Sequence, residues 1–373
     1  MATAFFDARS KNARALLEGD LQVVEQPEAA DLVWLRGGHK KLAERLRAGQ
    51  LINYIPGESA LIDKGYLSQY LKLHEPGEGD PDLELEDFYP ETFCLYDPEE
   101  RRAFFEQLPP EESPEQLWIL KPADMSMGRG VGVTWRFEGL RQLYEMVERE
   151  GADDEIRPYI VQRYITNPLL LDGRKSEIRL YWLIASVDPL LALVYGEGTV
   201  RLNNQPFSLG DLDNELVHVT NVFQQKRHPD FDADLELKWS FPDLETYIVE
   251  RLGRGEFGLI EAELKPKLKA ILQFALEATR HVLEPGPDGP LGFNLLGVDV
   301  ILDDTLRPWL TEVQLGPGLS HGDQVKREVL PGMLREAAQI VLEVQRRRRQ
   351  GGSLAHLDSV SRFEWIANEA ARA

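Results

Sequence analysis

Cysteine is nearly absent: Cys94 is the only one in 373 residues. No disulfide can close within the chain, and no cysteine-based metal cluster can form. Long apolar runs are missing too. No segment approaches the ~20 apolar residues that span a bilayer. The apolar stretch in the opening MATAFFDARSK is too short for a secretory leader. Positive charge is scarce: 42 Lys and Arg against 63 Asp and Glu leave a net charge of −21. A field of that sign works against nucleic acid and anionic membrane as partners, although a local basic patch is compatible with it. Together these absences describe a cytoplasmic globular protein with neither nucleic acid nor membrane as partner.

What is present supports a packed core. Hydrophobic residues make up 43% of the chain and aromatics 9%, which excludes disorder as the main state. A chain of this length divides into subdomains. The expected divisions are an N-terminal α/β unit over 1–65, a central unit over 66–185, a C-terminal unit over 186–350 and a tail over 351–373. Asp31 to Leu35 reads as a buried strand and Lys40 to Arg47 as a short charged helix. The stretch from His74 to Glu91, dense in acid, Pro and Gly, reads as an exposed connection. From Trp118 onward apolar strands alternate with helical patterns, Arg141 to Glu150 being one of the helices. Residues 226–258 read as an irregular insertion. Leu264 to Leu283 reads as an amphipathic helix with Leu268, Ile271, Leu272, Ala275 and Leu276 on one stripe. A last helix is expected from about Pro331 to Arg349, stopped by Gly351 and Gly352, with a loosely docked helix in the tail.

The most informative segment is FNLLGVDVILDDTLRPWLTEVQL, from Phe293 to Leu315. Two apolar strands flank the turn DDTLRP. With the turn centred between Thr305 and Leu306, Asp299 pairs across with Glu312 and Gly297 with Gln314. Asp299, Glu312 and Gln314 then share one sheet face, because side chains alternate with period two. Two carboxylates so close repel and resist burial. Mg²⁺ accepts one or two carboxylates together with phosphate oxygens, so this hairpin points to a metal–nucleotide site. Another register, or one acid turned to water, is the alternative.

Trp118 to Val133 (WILKPADMSMGRGVGV) presents Lys121 on a strand, followed by Gly128, Gly130 and Gly132. Glycines let backbone N–H groups approach phosphates, and Lys121 supplies a cation. No helix opens directly after the glycines, so this is neither a P-loop nor a Rossmann fingerprint. A plain hairpin turn is the alternative. Further on, Lys175, Glu177 and Arg179 alternate along a strand and share a face. Arg201 follows in the next hairpin arm, and HVTN at His218 to Asn221 adds polar groups. Contacts to ribose and phosphate suit that set; so does a surface ladder of ion pairs.

At these residues the chain resembles the tubulin–tyrosine ligase-like family. The likeness runs through INYIPG with Lys64, WILKP and its glycine loop, VQRY…NPLLLDGRKSEIR, Gly198 to Arg201, HVTN and GVDV…LTEVQ. It covers roughly residues 30–345. The resemblance implies an α/β (α+β) ATP-grasp fold, with ATP between two antiparallel-rich sheets. It also implies a carboxylate–amine ligase acting through an acyl phosphate on a protein or peptide acceptor and an amino acid. By the same resemblance, Lys121 and the loop of Gly128 and Gly130 bind phosphate. Gln162 and the backbone near Tyr164 meet the adenine, and Lys175 and Glu177 sit by base and ribose. Arg179, Arg201 and Asn221 hold the γ-phosphate and the activated carboxylate, while Asp299, Glu312 and Gln314 hold Mg²⁺. The family usually has Asp at Glu177 and Asn at Gln314, so each side chain here reaches one methylene farther.

The acceptor side departs from the family in charge. A strongly acidic enzyme repels a strongly acidic tail. Arg163, Arg174, Lys175, Arg179 and Arg201 are close enough in sequence to line one cleft. The expected acceptor therefore presents a single carboxylate with little negative charge around it. The basic run Arg346 to Arg349 reads as a solvated helix end.

Overall fold

One long strand, Arg174–Val187, organises the fold. In the computed structural model every residue from Lys175 to Ser186 is buried, and helices cover both faces of its apolar half. Ile178, Leu180, Trp182 and Ile184 pack toward Leu268, Ile271 and Leu272 of the helix Lys265–Thr279. Tyr181, Leu183 and Ala185 pack toward Val329, Met333 and Ala337 of the helix Gln324–Gln350. Burying each large side chain is worth about 1.5–3 kcal/mol. On this second face the strand changes character toward its start. Lys175, Glu177 and Arg179 precede Tyr181 on the same side, so the apolar half anchors the polar half. The structure describes all residues except Gly38, 75–82, 109–115, 125–129, 151–157, 286–288 and Ala373, and the side chains of 147–150.

Among the described residues three sheets build a mixed α/β architecture consistent with the ATP-grasp fold. The first is parallel, in the order Leu291–Gly292, Leu51–Ile52, Leu32–Trp34, Thr3–Phe6, Gln22–Val23. The second is antiparallel: Thr92–Cys94, Tyr159–Arg163, Trp118–Pro122, Gly132–Thr134. The third has eight strands around Arg174–Val187, including Thr199–Leu202, Lys238–Trp239 and the hairpin Asn294–Leu302 with Pro308–Leu315.

The hairpin brings Asp299 opposite Glu312 and Gly297 opposite Gln314, but not by the turn read from the sequence. Leu302 pairs with Pro308 and Val300 with Leu310, which centres the turn on Thr305. A bulge at Thr311 then restores the pairing of the acids.

Four other expectations are corrected. Residues 226–258 are not irregular throughout. They hold the strand Lys238–Trp239 and the helix Phe241–Thr246, whose start is fixed by a capping box between Ser240 and Asp243. The last helix begins at Gln324, with Asp323 as its cap, and carries Pro331 inside it. The tail is not a loosely docked helix: Phe363–Asn368 is a strand pairing with Leu190–Tyr195. Finally, Phe88 and Tyr89, within the stretch read as an exposed connection, are core residues; residues 75–82 of that stretch lie outside the described residues. Among the described residues no helix is long and apolar enough to cross a membrane.

Candidate active site

A cleft of about 770 Å³ opens between the two antiparallel sheets. The smaller sheet contributes Ile119, Lys121 and Gln162; the larger contributes Lys175, Glu177, Arg201, Asp299, Thr311 and Glu312.

Lys121 is fixed by a relay of polar groups. Its ammonium donates to Gln162 Oε1 at 2.7 Å, Gln162 Nε2 donates to Thr92 Oγ1 at 2.8 Å, and Thr92 donates to the Pro90 carbonyl at 2.7 Å. Burial pulls the Lys121 ammonium down to about 8, with Glu312 working the other way. Lys175 is pulled to about 8 by the same cause. It donates to Tyr164 Oη at 3.2 Å and to the His218 carbonyl at 3.2 Å, and lies 4.5 Å from the Tyr164 ring centroid. His218 Nε2 faces the Asp211 carbonyl at 2.9 Å, which can only accept; Nε2 therefore carries the proton and Nδ1 accepts from Tyr164 at 2.8 Å. Burial pushes the Tyr164 hydroxyl up and the His218 imidazole down, so the pair stays neutral.

Asp299 sits at the centre of the cations. Arg179 donates to it twice, Nε to Oδ1 at 2.6 Å and Nη2 to Oδ2 at 2.9 Å. Arg201 Nη2 stands 2.6 Å from Oδ1, and Gln314 Nε2 donates to Oδ2 at 3.0 Å. Burial alone would raise the Asp299 carboxyl; the two guanidiniums overcome this and hold it below the usual carboxylate range. Arg201 also reaches Glu177 at 2.5 Å, and Thr311 donates to the other Glu177 oxygen at 3.1 Å. Burial opposes the Arg201 charge, yet Asp299 and Glu177 leave its proton held more firmly than usual. Glu312 meets Lys64 at 3.0 Å. Lys64 is placed by the helix Lys64–Leu73, whose Asp63 cap accepts from Gly65 N and Tyr66 N.

The remaining candidates divide. Asn221 lines the cleft, and its Oδ1 accepts from Phe223 N at 3.0 Å as the cap of the helix Val222–Gln225. Gly130 adopts φ +70, and an added Cβ would come 3.0 Å from Pro122 Cγ, so glycine is required. Gly128 lies outside the described residues. Arg163 lines the cleft but is engaged by Glu91 at 3.0 Å and by the Trp118 ring. Arg174 and Arg179 are absent from the lining, which corrects the expectation that all five basic residues face it; Arg179 and Gln314 reach the site through Asp299. Thr220, within HVTN, donates to Glu177 at 2.5 Å; Thr92 and Thr311, which sequence reasoning passed over, hold Gln162 and Glu177, and threonines in strands carry no signal of such a role.

Two antiparallel sheets clasping a cleft of this composition define an ATP-grasp-like protein. Sequence comparison narrows this: residues 41–350 match the tubulin-tyrosine ligase family, and the chain belongs to that family. It is 32% identical to the inactive polyglycylase TTLL10 of Homo sapiens, over 94% of this chain and 54% of that protein. It is 33% identical to the protein polyglycylase TTLL10 of Macaca fascicularis, over 77% of this chain and 47% of the relative. With the probable tubulin polyglutamylase TTLL9 of Bos taurus it shares 28% identity, over 86% of this chain and 75% of the relative. The chain thus spans about half the length of the two TTLL10 proteins.

Proposed function

We propose that this chain is an ATP- and Mg²⁺-dependent ligase that joins an amino acid to a carboxylate of a protein or peptide in the cytoplasm. The observation that carries the reading is the convergence, in one cleft between two sheets, of Lys121, Lys175 and Arg201 with Asp299 and Glu312. The cations suit a polyphosphate, the acids suit its counter-ion, and Ile119 and Tyr164 offer apolar and aromatic surface for a base.

Among the described residues no group of three or more His, Cys, Asp or Glu stands ready to hold a metal alone. This fits Mg²⁺, which binds through one or two carboxylates plus phosphate oxygens rather than in an all-protein cage. Asp299, Glu312 and Gln314 would hold it, and when bound it supplies charge neutralisation at the phosphates. Lys121 binds and orients the phosphates, and Lys175 sits with Glu177 by the base and ribose. Arg179 and Arg201 neutralise charge as the γ-phosphoryl group passes to the acceptor carboxylate. The amine of the amino acid then forms the amide bond, and inorganic phosphate leaves. Catalysis on this account is positioning and electrostatics, with no covalent enzyme intermediate.

The relatives' names favour a protein acceptor over a small-molecule synthetase. One observation favours a second reading, a nucleotide-binding scaffold without turnover: the human relative is named inactive. The test is calorimetry with ATP and Mg²⁺, followed by a screen of the twenty amino acids for ATP-dependent incorporation into cell-extract protein. Absence of ATP binding at millimolar concentration overturns the reading. Binding with no incorporation of any amino acid selects the scaffold.

A further inference from the structure

The motif HVTN gives Thr220 and Asn221 to the site and leaves its histidine without a role. His218 is buried at the end of the short helix Glu215–His218 and lines the cleft with Tyr164 and Lys175. Its backbone and its side chain both act on Lys175. The His218 carbonyl accepts from the Lys175 ammonium at 3.2 Å, while Nδ1 accepts the Tyr164 proton at 2.8 Å. With that proton committed, the Tyr164 oxygen presents a lone pair to the Lys175 ammonium, 3.2 Å away. The bonds therefore close a ring: ammonium to phenol, phenol to imidazole, and ammonium to the carbonyl of the same histidine. The Asp211 carbonyl, 2.9 Å from Nε2, fixes the tautomer that the ring needs.

This ring joins the two walls of the cleft. Tyr164 follows the strand Tyr159–Arg163 of the smaller sheet, and its N–H donates to the Leu117 carbonyl at 3.0 Å. Lys175 opens the buried part of the long strand of the larger sheet. Asn203 ties the histidine's helix to that strand: its N–H donates to the Lys175 carbonyl at 2.9 Å and its side-chain amide to the Val217 carbonyl at 2.5 Å. Both acceptors of the Lys175 ammonium in the ring are uncharged, so its orientation rests on where their lone pairs point. The charged groups acting on Lys175 are Glu177 and Lys121, and those acting on His218 are Lys175 and Asp211.

We propose that His218 is a positioning residue for nucleotide binding: by taking the Tyr164 proton it aims the Lys175 ammonium at the base and ribose. The proposal rests on the nucleotide reading of the cleft and deepens it. Without an acceptor at Nδ1, nothing fixes which way the phenol proton points. The ammonium then loses one of its two acceptors for part of the time, and with it both its alignment and some of the support for its charge.

The experiment is calorimetry of the full chain with Mg²⁺ and either a non-hydrolysable ATP analogue or inorganic tripolyphosphate, repeated at several pH values on both sides of the Lys175 value of about 8. His218→Leu should weaken the analogue about five-fold or more. It should also move the loss of affinity with rising pH to lower pH, because an ammonium with fewer acceptors gives up its proton sooner. Tripolyphosphate, which has neither base nor ribose, should change less than about two-fold. His218→Asn, whose Oδ1 stands where Nδ1 stands, should retain most of the affinity. Tyr164→Phe should reproduce His218→Leu, and the double variant should lose no more than either alone. Tyr164→Phe carries the test by itself should His218→Leu not fold. Analogue binding or a pH profile indifferent to both substitutions overturns the relay and leaves the nucleotide reading in place. Equal loss of tripolyphosphate assigns the relay to the phosphates and also overturns it. An unsubstituted chain that binds no analogue overturns the nucleotide reading, and the proposal with it.

Discussion

Arg179 grips Asp299 with two parallel bonds, Nε to Oδ1 at 2.6 Å and Nη2 to Oδ2 at 2.9 Å, at a place where both side chains are almost fully buried. The acid proposed to hold a metal is thus also the counter-ion of a buried guanidinium. Removing its charge should cost stability as well as activity.

The first prediction follows. Asp299→Asn leaves Arg179 buried without its carboxylate and takes from Arg201 one of its two acids, Glu177 remaining, and should lower stability by about 3–5 kcal/mol. Chemical denaturation measures this as a lower midpoint at an unchanged slope. Because the folded carboxyl is held below its usual range, its contribution is present above the unfolded value of about 3.9 and lost as pH falls through the lower folded value. The unsubstituted chain should therefore lose more stability than the variant on acidification below about pH 4.

Glu312 differs, since its partner Lys64 meets it at 3.0 Å and a fifth of its side chain is exposed. Glu312→Gln should keep the fold, shown by unchanged circular dichroism and a small shift in Tm. Turnover should fall by about a hundred-fold or more, because a charge facing the metal and phosphates is removed. Near-normal ligation by this variant would exclude Glu312 from the metal site.

Lys121 and Lys175 are both held near 8 by burial, well below the usual 10.5. A lysine whose folded pKa is depressed opposes folding fully below that pKa, and the penalty fades as pH rises from about 8 toward 10.5. Nucleotide binding should show the opposite trend. ATP affinity should fall above pH 8, and binding near pH 8 should take up protons, measurable by calorimetry in buffers of different ionisation enthalpy. Binding without proton uptake would place the phosphates elsewhere.

The tail should prove part of the fold. Phe363 is 2% exposed in the core shared with Tyr195 and the helix Gln324–Gln350, so Phe363→Ala should cost about 3–5 kcal/mol. Thermal unfolding checks this against Ala371→Gly, a change outside the core that should be nearly silent.

The acceptor prediction concerns charge. With a net charge of −21, and with Arg163 and Arg179 already engaged by Glu91 and Asp299, the protein should not be steered toward a polyglutamate-type tail. Initial ligation rates on acidic and neutral acceptor peptides at low and high salt are the measurement. A preference for the acidic peptide that weakens with salt would reverse this expectation.

The sequence was most readable where neighbours in the chain are also neighbours in space. Alternation along Lys175, Glu177 and Arg179 is a local relation set by the period of a strand; the pairing of Asp299 with Glu312 is local too, although a bulge at Thr311 rather than the expected turn produces it. The capping box of Ser240 and Asp243, with Pro242 in the first turn, was equally local but was passed over in favour of composition. The last helix, expected from about Pro331, is fixed by its cap Asp323 and carries that proline inside it. What the sequence could not supply are relations between distant segments. These include the reach of Lys64 to Glu312, the docking of Phe363–Asn368 on Leu190–Tyr195, and the meeting of Tyr164, Lys175 and His218. The sequence by itself determined the periodicity of the site strands, the residue types on their faces and the family likeness. Only the tertiary structure decided which cations neutralise which acids, because Coulomb pairing depends on distances and burial that arise when separate elements pack.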